Sequence, residues 1–117
     1  MSVILYVEDH PPAQMLMQAI ISEFTSHTLM VAQDRVEALS HVNAHSIDLY
    51  ILDLDLPDTD GISLASELVE IQSAPVILIS AYGEAVNAAD LATVNTYIAK
   101  PLDPEHVAKV IQRTLAG

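Results

Sequence analysis

The chain has no cysteine, only four Lys and Arg among 117 residues, and no apolar stretch near the ~20 residues that a membrane-crossing helix needs. Without cysteine no disulfide can form. The shortage of cations excludes more. Sixteen Asp and Glu against four Lys and Arg give a formal net charge of −12, and such a surface repels phosphate backbones and anionic headgroups, so direct binding to nucleic acid or membrane is not expected. The opening MSVILYV lacks the basic stretch and small-residue cleavage site of a secretory signal; with the missing cysteines this points to the cytoplasm. No repeat, low-complexity tract or Ser/Gly linker interrupts the chain, so residues 1–117 read as one domain.

Three short apolar runs stand out, at residues 3–7, 49–52 and 76–79. They are rich in branched side chains and show no polar alternation, as expected of strands covered on both faces. Residues 29–32 and 97–99 are weaker runs of the same kind. Between them apolar residues recur at helical spacing: Ala13, Leu16, Ile20 and Phe24; Val36, Leu39 and Val42; Leu64, Leu68 and Ile71; Val107, Val110 and Ile111. A short Ala-rich stretch at 84–91 fits a further helix. Start signals agree: Pro11 and Pro12 precede the first helix, Asp34 with Glu37 reads as a capping box, and Asp103 with Pro104 as an N-cap and first helical residue. Strands alternating with helices at this spacing imply right-handed crossovers and a doubly wound parallel α/β sheet, (βα)5.

In such sheets ligands bind beyond the carboxyl ends of the strands. The predicted strands end in Glu8 and Asp9, in Asp53, in Ser80, and in Lys100 followed by Pro101. A lone acid after a strand is ordinarily a cap or a solvated loop residue. Four strand ends whose polar groups complement one another are not explained that way. Gathered carboxylates call for a cation, and oxygen donors without Cys or His suit Mg²⁺. A lysine and a hydroxyl beside them would clamp phosphate oxygens, leaving a carboxylate, best placed at Asp53, to act as nucleophile.

These residues resemble the receiver domain of response regulators in two-component signalling, the chemotaxis-regulator type. The likeness spans the whole chain and rests on VEDH, DLYILDLDLPDTDG, PVILISA and YIAKP taken together. It implies a flavodoxin-like strand order 2-1-3-4-5 and an aspartyl phosphate at Asp53. By resemblance, Glu8, Asp9, Asp53 and the Asp55 backbone carbonyl hold Mg²⁺, Lys100 pairs with the phosphoryl group, and the Lys100–Pro101 peptide is cis. Ser80 and Tyr97 form a hydroxyl–aromatic switch read on the face of the fourth helix, fifth strand and last helix. Asp55 and Tyr82 flank the route of attacking water. The implied partners are a sensor histidine kinase or histidine phosphotransfer protein and a downstream protein or fused output domain. The chain would catalyse only its own phosphorylation and dephosphorylation.

The sequence departs from the pattern in three places. Glu8 stands where Asp is commoner. Ser80 and Lys100 lie closer together than expected, with Thr93 and Val94 where a Gly is usual, so the fourth helix should be short or irregular. The basic residues of a salt-bridged dimer are missing, so no more than a weak homodimer is expected. His10, His27, His41, His45 and His106 lack metal-ligand spacing and read as solvated, with His10 near enough to the acidic pair to tune it. Met15, Met17 and Met30 read as core filler, and Pro57 and Asp58 spoil any calcium-loop reading of 53–61. Two rivals remain. A haloacid-dehalogenase-type phosphatase would use the Asp53-x-Asp55 pair, but it needs an acidic motif and cap elements after its lysine, and residues 101–117 alone follow Lys100. A docking receiver that is never phosphorylated would have no use for the intact set.

Overall fold

Apolar runs without alternation form strands when helices cover both faces of a sheet. The computed structural model, which describes residues 1–81 and 94–116, has that arrangement. Five parallel strands, β1 (Val3–Val7), β2 (Thr28–Ala32), β3 (Leu49–Asp53), β4 (Val76–Ser80) and β5 (Thr96–Ala99), lie in the order β2-β1-β3-β4-β5. The described residues also form helices α1 (Pro11–Phe24), α2 (Arg35–Ala44), α3 (Gly61–Ile71) and α4 (Pro104–Ala116). The helix expected over 84–91, with Tyr82 and Thr93, lies outside the described residues.

Successive strand residues face opposite sides, so each apolar run supplies two cores. Ile4, Tyr6, Ile51, Ile77 and Ile79 pack under Met17, Ile20 and Ile21 of α1 and Val107, Val110 and Ile111 of α4. Leu5, Val7, Tyr50, Leu52, Val76 and Leu78 pack under Ala38 and Val42 of α2 and Leu64, Ala65 and Leu68 of α3. Tyr50 is buried throughout, and its hydroxyl donates to the Gln72 carbonyl just past the end of α3 at 2.6 Å, with the Leu68 carbonyl, which also accepts the Gln72 N–H, at 3.3 Å.

The helix starts are partly corrected. Pro11 and Pro12 do not precede α1 but occupy its first two positions, where no intrahelical N–H is needed. Asp34 caps α2 by accepting from the Glu37 N–H at 2.9 Å, while Glu37 reaches back to Gln33 at 3.3 Å, one residue before the usual capping-box partner. Pro104 opens α4, and the Asp103 carbonyl accepts the Val107 N–H. Ile20, Val42, Leu64, Leu68, Val107, Val110 and Ile111 are buried as expected, but Leu16, Phe24, Val36 and Ile71 are exposed, and Met17, Ile21 and Ala38 are buried in α1 and α2. Met15 is likewise no core filler but 69% exposed, whereas Met17 is buried and Met30 half-buried.

Candidate active site

Glu8, Asp53, Ser80 and Lys100 sit where strands leave the sheet. β1 runs directly into Glu8, whose N–H still bonds the Ala32 carbonyl of β2 at 2.9 Å, so the residue keeps strand geometry and is buried to 2% exposure. Asp53 closes the fully buried β3 and is itself 4% exposed. Its neighbour β4 ends one step further on, at half-exposed Ser80, since Asp53 pairs with Ile79 and Ser80 with Ala99. The Lys100 N–H bonds the Ser80 carbonyl at 2.9 Å, extending the ladder beyond β5. Lys100–Pro101 is a cis peptide, as the resemblance implied.

This register brings Lys100 Nζ to 2.7 Å from Asp53 Oδ2, while Asp53 Oδ1 accepts the Asp55 N–H at 3.1 Å. Burial works against the Lys100 ammonium, but its bond to Asp53 and the charges of Asp53, Glu8 and Asp55 outweigh that and hold its pKa above the ordinary value. Glu8 is pushed up to about 7, first by burial, then by its hydrogen bond with Asp53 and by the Asp53 charge; Lys100 pulls the other way. Two carboxylates share one ammonium, and a proton on Glu8 makes up the shortfall near neutrality.

Glu8, Asp9, Asp53, Asp55 and Lys100 all line one cavity of about 780 Å³, together with His10, Leu56, Pro57, Pro101 and the α1 residues Ala13 and Leu16. The site is looser than a convergence of three acids. Asp9 and Asp55 are exposed, and among the described residues no three His, Asp or Glu side chains are grouped closely enough to hold a metal by themselves. Only Glu8 and Asp53 are pressed together, because they alone lie on the covered part of their strands. Tyr97 is half-buried on β5 against the core beneath α3. His10 is exposed at the rim, but His27 and His41 are not freely solvated: the His27 ring accepts from the Ser2 N–H at 3.1 Å, and His41 Nε2 lies 3.2 Å from the Val31 carbonyl.

Sequence reasoning passed over two residues here. Tyr6 is 1% exposed and lines the cavity, its phenol kept protonated well above the ordinary range by burial and by the Glu8 and Asp53 charges. Two positions before Glu8 on one strand, it shares that residue's face, and this period-two relation was the available signal. Gly61 opens α3 so close to β3 that an added Cβ would fall 2.3 Å from the Asp53 carbonyl oxygen, and its N–H bonds the Leu54 carbonyl at 2.8 Å.

Residues 4–112 match the family model of the response regulator receiver domain. The chain belongs to that family. Among receiver-containing relatives, the sensory transduction protein LytT of Enterococcus faecalis is 30% identical over 94% of this chain but 46% of its own length, so this chain spans about half of that protein. The chemotaxis protein CheY of Bacillus subtilis is 29% identical over 96% of both chains. The solved receiver domain of a sensor histidine kinase from Pseudomonas aeruginosa superposes with a TM-score of 0.86 over 99% of this chain and 98% of that one, at 24% identity; it carries a magnesium ion in its active-site cleft. The shared strand order is the receiver fold, and membership in this family sets aside the phosphatase reading.

Proposed function

We propose that this receiver domain is a phosphoacceptor in which Asp53 takes a phosphoryl group from a phosphohistidine. The observation that carries the reading is the 2.7 Å pair between the buried Asp53 carboxylate and Lys100 at the floor of an open cavity. A lone pair on the Asp53 carboxylate forms the new O–P bond while the P–N bond of the donor breaks, its electrons passing to the imidazole nitrogen, which then takes up a proton. Lys100 offers its ammonium to the phosphoryl oxygens, and the buried seat of Asp53 fixes the direction of attack.

The donor set fits Mg²⁺ in kind: the acids are all oxygen ligands, no Cys or His is among them, and Glu8, pushed up to about 7 by burial and by Asp53, is a carboxyl that a cation's charge would return to its ionised form. The side chains of Glu8, Asp9 and Asp53 and the Asp55 backbone carbonyl would hold the ion. Its charge would screen an anionic carboxylate approaching an anionic phosphoryl group. Attack by water on the same phosphorus restores Asp53, so the chain acts on itself alone and turns over no other substrate. Asp55, at the mouth of the cavity, and Tyr82 are the residues proposed to govern that attack.

Intact-mass analysis after exposure to acetyl phosphate should show one phosphoryl group on wild type with Mg²⁺, none in chelator, and none on Asp53→Asn. Label on the Asn variant would overturn the assignment.

Ser80 and Tyr97 are proposed to relay the event, the hydroxyl at the end of β4 following the phosphoryl oxygens and Tyr97 responding on β5. Ser80→Ala should take the label yet leave the strand β5 chemical shifts unmoved by it; full shifts in that variant would exclude the route. A sensor histidine kinase or phosphotransfer protein is the donor in this reading, in the cytoplasm. A fused output domain is one destination of the signal, as the half-length match to LytT suggests, and a separate protein the other, as the full-length match to CheY suggests.

A further inference from the structure

The segment 54–60 carries Asp55 past the acceptor and joins β3 to α3. At its base it is closed by the Asp55 N–H bond to Asp53, by a bridge between Asp55 and Asp60, and by the Gly61 N–H bond to Leu54. Its tip is held from outside. Both carboxylate oxygens of Asp58 accept from the Arg35 backbone N–H, at 3.3 and 3.2 Å. Arg35 is the first residue of α2, where a helix leaves its N–H groups without internal partners. Asp34 serves the Glu37 N–H, so two carboxylates divide that helix end between them. The Arg35 side chain then turns to α3 and donates from Nε and Nη2 to the two Glu67 oxygens, at 2.8 and 2.7 Å. Tip, α2, α3 and base form a closed circuit outside the cavity.

We propose that Asp58 and Arg35 are positioning residues that fix the loop on which Asp55 meets Asp53, an inference that rests on the reading of Asp53 as acceptor. The circuit contributes little to global stability, because Asp58 is exposed and Arg35 and Glu67 are half-exposed, where solvent screens the ion pair. Its effect is geometric. With the tip held at α2, the short segment has no freedom to swing about Pro57, and the Asp55 N–H stays aimed at the Asp53 carboxylate.

The test uses the full chain and two independent readouts. In Asp58→Ala, amide hydrogen exchange at Asp55 should quicken roughly tenfold while β1 exchange is unchanged, and Mg²⁺-dependent labelling by acetyl phosphate should slow severalfold with the melting temperature nearly unmoved. Asp58→Asn keeps an acceptor oxygen for the Arg35 N–H and should restore both readouts. Arg35→Glu and Glu67→Arg should each be impaired and recover when combined. Unchanged Asp55 exchange in Asp58→Ala, or Asn as damaging as Ala, overturns the proposal. Should wild type take no label while Asp55 exchange responds as described, the acceptor reading falls and the positioning role stands.

Discussion

Glu8 is the residue whose behaviour is most sharply set by its surroundings. Folded, it keeps its proton up to about pH 7; unfolded, it releases it near its ordinary 4.5. Between those values the folded state binds more protons, so stability of the metal-free protein falls as pH rises through the window and the penalty is complete above it. Glu8→Gln removes the titration with little change of shape. In urea melts with chelator, wild type should lose on the order of 2 kcal/mol relative to that variant between about pH 5 and pH 8. Parallel pH profiles for the two proteins would refute the buried-proton account. That Glu8 belongs to the site was legible from its place after an apolar strand. That it would hold a proton was not, because the cause is its burial and contact with Asp53, distant in sequence.

Helix α3 shows what an element owes to its first turn. Asp60 accepts from the Ser63 N–H and hydroxyl, both at 2.8 Å, and the backbone bond from Ser63 holds its carboxyl below the usual range. Asp60→Ala should cost about 1 kcal/mol in urea unfolding at pH 7. The difference should shrink as pH falls below the ordinary carboxylate range and through the lowered value, where wild type loses the same bond. A variant as stable as wild type at pH 7 would show the cap to be idle. Nothing in the DTDG run told whether Asp58 or Asp60 would serve α3; in the structure Asp60 caps it and Asp58 serves α2. Among the described helices periodicity gave the inward residues of α4 in full and most of those of α3, and erred at the edge of the stripe in α1 and α2. Helical spacing marks an apolar stripe about 100° wide, and packing of α1 against α4 selects Met17 and Ile21 from its edge over Leu16 and Phe24.

For the molecule as a whole the doubly wound parallel sheet could be stated in advance, because unalternating strands separated by helices leave few ways to cover both faces, whereas the order of the strands came from the resemblance to receiver domains. The looseness of the acidic cluster could not be stated in advance, since it depends on how far each carboxylate lies beyond the covered part of its strand. The chain's charge of −12 also bears on stability. A ligand that binds only the folded state adds RT ln(1 + [L]/Kd), about 1.4 kcal/mol at tenfold excess over Kd, so wild type should melt higher with Mg²⁺ than in chelator at matched ionic strength. Asp53→Asn should melt above wild type in chelator at pH 8 and gain less from Mg²⁺; a variant that melts lower there would mean the Lys100 pair outweighs the repulsion. The contact at Gly61 has a mechanical consequence. Contacts made through side chains can yield by rotating a bond, but here main chain rests on main chain with no room for a methyl group. If the proposed phosphoryl transfer takes place, Asp53 and the head of α3 would therefore move together, and the displacement caused by a charge arriving on the carboxylate would fall to the ends of β4 and β5, where side chains can still give.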